Sequence, residues 1–410
     1  MRIGFDLRYL QAAYRNSAGG GLGGVGVYIQ GLWKALARLY PETAFVALVD
    51  HGDIPERLHE LVNLAPKSEI MPFGLAGRGH ILSRLDRSSY SWLIRALESE
   101  FQLGIPREAA CLDILHIMNQ SPAPVGLCPT VMTIYDLCPL GAGVPVKQTL
   151  LEKNHRHYLT RLGRADRLVC ISEATRNDAK RYLTDCREKT AVIYPGIDFE
   201  IFKPGISNKA EVKEKFGITT DFFIHVGVCS GRKNLCGLME AMRIAVNACN
   251  GDFVLVFVGP YQVSKIASQA ILELARDYGI GERVMILGDV SDANLAVLYR
   301  NALALVFPSF YEGFGYPAAE SLACGTPCIV SDTSSLPEAV GDLGVLVDPA
   351  DASQIADVMV TVVRAGKNER VQIEGPRWAQ QFSWDRAAVA YMDIYRELAD
   401  SADRQANRKV

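Results

Sequence analysis

Two glutamates flank a glycine-broken turn in the second half of the chain. Glu312 is followed by Gly313 to Gly315, and Glu320 comes shortly after Pro317. Proline is favoured in the first turn of a helix, so a helix is predicted to start here with its free N–H groups facing the turn. Such N–H groups bind phosphate, and carboxylates accept hydrogen bonds from sugar hydroxyls. The segment therefore predicts a site for a sugar joined to a diphosphate.

A glycine-rich run, residues 19–26, precedes a helical pattern in the first half. N–H groups at that helix start can bind phosphate, which makes Gly23 and Gly24 candidate ligand-binding residues. The glycine spacing, with Asp50 ending a later strand, also matches the dinucleotide fingerprint and leaves an NAD-type oxidoreductase as an alternative. Against it, Tyr9 to Ala18 are interpreted as a loop that separates the first strand from the glycines, whereas the fingerprint turn leaves its strand at once. A flexible surface loop without a ligand is the third interpretation.

Short apolar runs alternate with helical patterns through both halves. This alternation predicts an α/β protein with parallel sheets covered on both faces, in two Rossmann-like domains. The predicted strands are 2–7, 44–49, 114–118, 130–134 and 167–171, then 222–228, 253–258, 284–287, 304–307, 328–331 and 345–347. The predicted helices are 25–39, 172–183, 234–249, 264–278, 291–300, 316–324, 352–365 and 383–398. Ligands of such sheets bind outside the carboxyl ends of the strands.

Proline and glycine between residues 194 and 205 mark a domain boundary. The predicted domains are 1–198 and 206–380, with their sheets facing across an interdomain cleft. A last helix, 383–399, is expected to return to the first domain, and residues 401–410 to form a frayed polar tail.

The segment from Phe307 to Pro327 resembles the E-x7-E motif of the GT4 family, retaining glycosyltransferases with the GT-B fold. Gly231 to Leu235 is similar to the RKN loop of that family. Other segments that fall where the family has them are Val192 to Asp198, Ile171-Ser172-Glu173, Ser331-Asp332 and Leu336-Pro337-Glu338. The resemblance covers nearly the whole chain and is densest from about residue 167 to 350.

The resemblance implies that the second domain binds a nucleoside diphosphate sugar and that the first binds the acceptor. Glu320 would contact the ribose, and Glu312 would contact the sugar hydroxyls. Arg232 and Lys233, which follow the first strand of the second domain, would bind the phosphates. The predicted catalytic residues are Glu312, Lys233, Arg232 and Asp136. The predicted donor-binding residues are Gly23, Gly24, Arg232, Lys233, Glu312, Gly313, Phe314, Gly315 and Glu320.

The chain departs from the family pattern at two positions. Tyr135 precedes Asp136 where the family has histidine, and Val228 stands where many members have arginine. Tyrosine cannot carry positive charge at neutral pH, so Tyr135 can offer a hydrogen bond but not the proton chemistry of an imidazole. We therefore expect Asp136 to face the acceptor, and phosphate binding to depend more heavily on Arg232 and Lys233.

Composition and charge give no sign of a nucleic-acid partner. The net charge is −3 and the pI about 6.2, without the basic excess that nucleic-acid binding requires. A signal-peptide pattern and an apolar run of ~18 residues are both absent from the sequence, which predicts a cytoplasmic location. Arg78 to Arg95 interleave basic and apolar residues, so peripheral contact with the inner face of a membrane competes with a solvated helix. His116, on an apolar run, is interpreted as a core residue.

The expected reaction is retaining sugar transfer, with mannose from GDP-mannose as the leading donor. A glycan or lipid-linked acceptor is expected, in surface polysaccharide or lipopolysaccharide synthesis. The leaving diphosphate would help to take the acceptor proton on the same face, so no protein nucleophile is required. No DxD sequence occurs, so neither a metal nor another cofactor is expected. The alternatives are an NAD-type oxidoreductase and a noncatalytic nucleotide-binding subunit of similar fold.

Overall fold

The computed structural model of the protein describes residues 1–16, 22–50, 52–72, 111–118, 128–137, 162–183, 188–228, 230–249, 252–259 and 265–407. Its strands are β1 (Arg2–Asp6), β2 (Ala44–Val49), β3 (Glu69–Pro72), β4 (Ile114–Ile117), β5 (Thr130–Ile134), β6 (Arg167–Cys170), β7 (Thr190–Val192), β8 (Asp221–Val226), β9 (Phe253–Val258), β10 (Val284–Gly288), β11 (Leu305–Phe307), β12 (Cys328–Ser331) and β13 (Val345–Val347).

The helices are α1 (Arg8–Asn16), α2 (Gly23–Leu39), α3 (Glu56–Val62), α4 (Glu173–Tyr182), α5 (Lys209–Phe216), α6 (Leu235–Cys249), α7 (Lys265–Asp277), α8 (Asp292–Asn301), α9 (Tyr316–Ala323), α10 (Leu336–Val340), α11 (Ala352–Ala365), α12 (Glu369–Ala379) and α13 (Trp384–Asn407). They form two compact units. The first contains the described residues up to Gly196 and from Trp384 onward, and the second runs from Ile197 to Ser383.

Each unit has one sheet in which the paired strands run parallel. The first sheet has the order β3-β2-β1-β4-β5-β6-β7, and the second has the order β10-β9-β8-β11-β12-β13. The predicted α/β class with two Rossmann-like sheets is therefore confirmed. The sequence patterns missed the edge strands β3 and β7, because their residues are mostly exposed or half-buried and form no apolar run.

A buried polar network joins α13 to the sheet of the first unit. The Tyr391 hydroxyl lies 2.7 Å from that of Tyr28 and 2.8 Å from Thr133 Oγ1. His116 Nε2 lies 2.8 Å from the same Thr133 oxygen, and His116 Nδ1 lies 2.7 Å from the Tyr395 hydroxyl. Burial lowers the pKa of His116 to about 3, so the ring is neutral. His116 is thus a hydrogen-bonded core residue.

Two stretches that were predicted to be irregular are helical. Residues 9–16, interpreted as loop, belong to α1, whose Gln11 side chain donates hydrogen bonds to the carbonyls of Asp50 and Asp53. The expected frayed tail continues α13 as far as Asn407, and Ser401 Oγ bonds back to the Glu397 carbonyl. Polarity misled both predictions, since polar residues such as Gln, Arg and Glu are good helix formers. The predicted membrane segment, residues 78–95, lies outside the described residues.

The second sheet is packed between helices by a continuous apolar core. Its inner strands contribute Phe223, Leu255 and Phe257, and α6 and α11 contribute methionines such as Met239 and Met359. All five are fully buried. This packing holds β8 and β11 side by side, so the loops that follow them emerge at the same edge of the sheet.

Candidate active site

The loop after β8 carries the two predicted phosphate-binding cations. Gly227 follows the strand with φ +139°, a conformation suited to glycine, and a short helical turn spans Gly231–Lys233. Asn234 ends that turn in the left-handed region, with φ 55°, and its side-chain amide donates to the Pro349 carbonyl. The turn therefore presents Arg232 and Lys233 from a main chain that is held in place.

Glu312, in the loop after β11, forms ion pairs with both cations. Its Oε2 lies 2.6 Å from Arg232 Nη1, and its Oε1 lies 2.7 Å from Lys233 Nζ. The same Arg232 nitrogen donates to the Tyr311 carbonyl at 2.9 Å. Lys233 Nζ also lies 4.0 Å from the centre of the Phe307 ring, where a cation interacts favourably with the aromatic face. The structure thus brings three of the predicted catalytic residues into one cluster.

Little room surrounds the Lys233 ammonium. A Cβ at Gly227 would lie 3.1 Å from Lys233 Cε and 3.2 Å from Nζ, so a larger residue would displace the lysine side chain slightly, besides being strained at this φ. Lys233 is 5% exposed and Glu312 is 7% exposed. Burial raises the pKa of Glu312, but the charges of Lys233 and Arg232 outweigh it and hold that pKa below its usual value. The pKa of Lys233 is lowered, chiefly by burial.

The segment after β12 fixes the main chain around Glu312. The Glu312 N–H donates to Ser334 Oγ at 3.0 Å, and Ser335 Oγ donates to the Glu312 carbonyl at 2.9 Å. Ser334 has a φ of 54°, in the left-handed region that non-glycine residues rarely adopt. The main chain of Glu312 is therefore held by hydrogen bonds at both its N–H and its carbonyl.

The predicted glycine turn ends at the start of α9. Gly315 has a φ of 99°, and a Cβ there would lie 2.7 Å from Leu336 Cδ2, so a larger residue does not fit. The Phe314 ring packs edge-on against Phe382, with centroids 5.0 Å apart, and is 2% exposed. Phe314 was predicted to bind the donor. Because its ring lies in the core, its main chain is the part that can do so.

Glu320, on α9, is oriented by a residue that the sequence did not single out. The Tyr299 hydroxyl, on α8, donates to Glu320 Oε2 at 3.2 Å. Burial and, to a lesser extent, the nearby charge of Asp292 raise the pKa of Glu320 to about 8, although the Tyr299 hydrogen bond opposes the shift. Glu320 is therefore largely protonated at neutral pH in this structure. No sequence pattern predicts that Tyr299 belongs to the site, because it is simply one of the apolar positions of a predicted helix.

Glu320→Gln is expected to remove a pH dependence of stability. A carboxyl whose pKa is raised on folding takes up protons when the chain folds, so stability falls as pH rises from about 4.5 towards 8. Glutamine cannot titrate, so the melting temperature of wild type should drop relative to Glu320→Gln between about pH 5 and pH 9. Tyr299→Phe should extend the drop to higher pH. Parallel melting curves for wild type and the glutamine variant would contradict the assigned pKa.

The remaining predicted site residues lie in the first unit. Gly23 and Gly24 form the exposed first turn of α2, and Gly23 has a φ of 64°. Asp136 is half-buried just after β5. Tyr135 is buried, and its hydroxyl donates to the Met118 carbonyl at 2.6 Å. Tyr135 is thus a core residue whose hydroxyl is hydrogen-bonded to the main chain.

Two further features, a metal-binding cluster and a membrane-spanning helix, are absent from the described ranges. In that part of the chain, no three His, Cys, Asp or Glu side chains are grouped so that they could hold a metal ion. Likewise, no helix in the described part is long and apolar enough to cross a membrane.

Two family models match the chain, one in each half. The model described as Glycosyltransferase Family 4 matches residues 22–201, and that described as Glycosyl transferases group 1 matches residues 208–375. With the two parallel-sheet units, these matches define a glycosyltransferase with the GT-B fold. The chain belongs to the GT4 family of these enzymes. The family assignment replaces the NAD-type oxidoreductase that the glycine spacing had left open.

Three similar proteins illustrate the range of relatives. O-antigen chain mannosyltransferase B of Escherichia coli is 32% identical over 178 residues, 43% of this chain and 46% of that protein. The chain thus matches less than half the length of this relative. D-inositol 3-phosphate glycosyltransferase 1 of Catenulispora acidiphila is 26% identical over 93% of this chain and 92% of that protein. HepE of Anabaena, solved with UDP and glucose, has a TM-score of 0.71 at 17% identity, covering 97% of this chain and all of that one.

Proposed function

We propose that the protein is a retaining, metal-independent hexosyltransferase that transfers mannose from GDP-mannose to a glycan or lipid-linked acceptor. Surface polysaccharide or lipopolysaccharide synthesis is the proposed process. The observation that carries the proposal is the cluster of Arg232 and Lys233 with Glu312 after two adjacent strands. The mannosyltransferase that is 32% identical supports mannose. UDP-glucose is the second candidate donor, because HepE was solved with UDP and glucose.

The chemistry assigns a task to each part of the second unit. The acceptor oxygen forms a bond to the anomeric carbon as the bond from that carbon to the phosphate oxygen breaks. The acceptor proton passes to the leaving phosphate on the same face of the sugar. Arg232, Lys233 and the N–H groups at the start of α9 would stabilise the charge that develops on the diphosphate. Two fixed cations make a divalent metal unnecessary in this proposal.

The test is sugar transfer by the purified chain with EDTA present. GDP-mannose and UDP-glucose are each supplied with simple mannosides as acceptors, release of nucleoside diphosphate is measured, and the new anomeric centre is read by NMR. We expect transfer from GDP-mannose with retained configuration and no loss in EDTA. A product with inverted anomeric configuration would overturn the retaining mechanism. Activity that returns only with magnesium or manganese would overturn metal independence. A protein that binds the donor without turnover would be a noncatalytic subunit.

Asp136 and Tyr135 allow a matched test of the first unit's part in the reaction. Asp136→Asn keeps the shape but removes the charge, and we expect at least about a tenfold lower rate, about 1.4 kcal/mol of barrier. Tyr135→Phe should keep most of the activity but lose stability, since the hydrogen bond to Met118 contributes about 1 kcal/mol. Initial rates and melting temperatures of both variants decide the matter. A fully active, less stable Asp136→Asn protein would show that Asp136 is structural.

The proposed location is cytoplasmic, with peripheral contact at the inner face of a membrane when the acceptor is lipid-linked. Vesicles containing anionic lipids provide the test. A segment that interleaves basic and apolar residues, as Arg78 to Arg95 do, can bind such vesicles in a salt-dependent manner. We expect cosedimentation at low salt. A protein that stays in the supernatant at every salt concentration would exclude direct membrane binding.

A further inference from the structure

Glu312 forms ion pairs with Arg232 and Lys233, the two cations that the proposed function assigns to the diphosphate. Its two carboxylate oxygens are shared between them, one at 2.6 Å from Arg232 Nη1 and the other at 2.7 Å from Lys233 Nζ. An ion pair of this kind is worth little at the surface, but here the carboxylate and the ammonium are both nearly buried. The three side chains form one charged cluster with a formal charge of +1.

A diphosphate and the Glu312 carboxylate would compete for these two cations. Each phosphate would lie within a few ångströms of the carboxylate, and like charges repel strongly at that distance in a buried site. His225, on β8, adds no third cation, because burial lowers its pKa to about 4 and the ring is therefore neutral at pH 7. Binding of the diphosphate is therefore expected to weaken the ion pairs of Glu312 with both cations.

The surroundings decide which group moves. Lys233 is nearly buried, and its ammonium packs on the Phe307 ring. The Glu312 main chain is held on both sides by Ser334 and Ser335, whereas the ion pairs of its side chain among the described residues are those with the two cations. Rotation of the Glu312 side chain is thus the smallest change that frees the cations.

We propose that Glu312 is an internal counter-ion of the Arg232-Lys233 pair, which the diphosphate of the donor displaces. The displaced carboxylate is then available to the sugar hydroxyls, so the arrival of the diphosphate and the placement of Glu312 on the sugar are coupled. This inference rests on the proposed function. It assigns to one residue two successive roles, as a competitor of the diphosphate and as a ligand of the sugar.

The test is binding of inorganic pyrophosphate and of GDP to Glu312→Gln, measured by calorimetry. Glutamine keeps the size but not the charge, so we expect both ligands to bind at least about tenfold more tightly, the scale of one hydrogen bond to a charged group. Sugar transfer should nevertheless be slower. The melting temperature without ligand should fall, and its rise on adding pyrophosphate should exceed that of wild type. Glu312→Ala gives the same comparison if the glutamine variant folds poorly.

Glu240→Gln is the matched control, because Glu240 pairs with Arg243 at 2.6 Å on a partly exposed face of the same unit. It loses the same formal charge and should bind pyrophosphate as wild type does. Unchanged or weaker binding by folded Glu312→Gln would overturn the counter-ion role. If the chain transfers no sugar yet Glu312→Gln still binds pyrophosphate more tightly, the proposed function fails and the counter-ion role stands.

Discussion

Lys233→Met is expected to lower the rate of sugar transfer by at least about 100-fold, the usual effect of removing one preorganised electrostatic group from an active site. Methionine has a similar length but no charge, so the diphosphate loses a buried cation. Glu312 would then remain paired with Arg232 alone, and the side chain facing the Phe307 ring would no longer be a cation. The measurement is kcat/KM for the nucleotide sugar, with the melting temperature as a check of folding.

Lys209→Met is the control for this change, because Lys209 forms an exposed ion pair with Asp221 in the same unit. It should change neither the rate nor the stability by much, since exposed pairs contribute about 0–1 kcal/mol. If folded Lys233→Met transfers sugar within a few-fold of wild type, then the diphosphate does not depend on this cluster. Lys233→Arg is also expected to be impaired, because the space between Gly227 and Phe307 fits an ammonium more closely than a guanidinium.

Asp6→Asn is expected to destabilise the first unit by about 3–5 kcal/mol, the usual result of removing one member of a buried ion pair. Asp6 ends the central strand β1, and its two oxygens accept from Arg8 Nε at 2.9 Å and Arg8 Nη2 at 2.8 Å. Asp6 is fully buried and Arg8 is 3% exposed. The variant leaves a guanidinium in the core without its counter-charge. Hydrogen exchange at the β1 amides measures the loss for this unit.

Asp113→Asn provides the comparison at the other end of the same sheet. Its carboxylate is 52% exposed and lies near the amino terminus, so its loss should cost less than about 1 kcal/mol. Replacing both buried partners, as Asp6→Leu with Arg8→Met, should recover much of the stability, because apolar pairs often replace buried ion pairs at little cost. Equal protection of the β1 amides in wild type and Asp6→Asn would show that the pair contributes little.

The patterns of the strands predicted most of the fold, because a strand covered on both faces needs a nearly continuous apolar run. β9 illustrates this, since all six of its residues, Phe253 to Val258, are buried. β3 and β7 are half-exposed and were not predicted, because they lack a continuous apolar run although their backbones pair with β2 and β6. α1 was missed although Leu10, Gln11 and Tyr14 are buried at helical spacing, because one of these buried positions is a polar Gln11 that bonds to carbonyls after β2.

Residue type and local order were enough to mark Glu312, Glu320, Arg232 and Lys233 as candidates, and to indicate the GT4 family. Charged side chains in loops after apolar strands are a local property, and the sequence carries it. That Glu312 is the partner of both cations was decided by the tertiary structure, through the pairing of β8 with β11. The same holds for Tyr299 beside Glu320. Sequence specifies which groups can do chemistry, whereas their partners and pKa values depend on burial and on neighbours that only folding brings together.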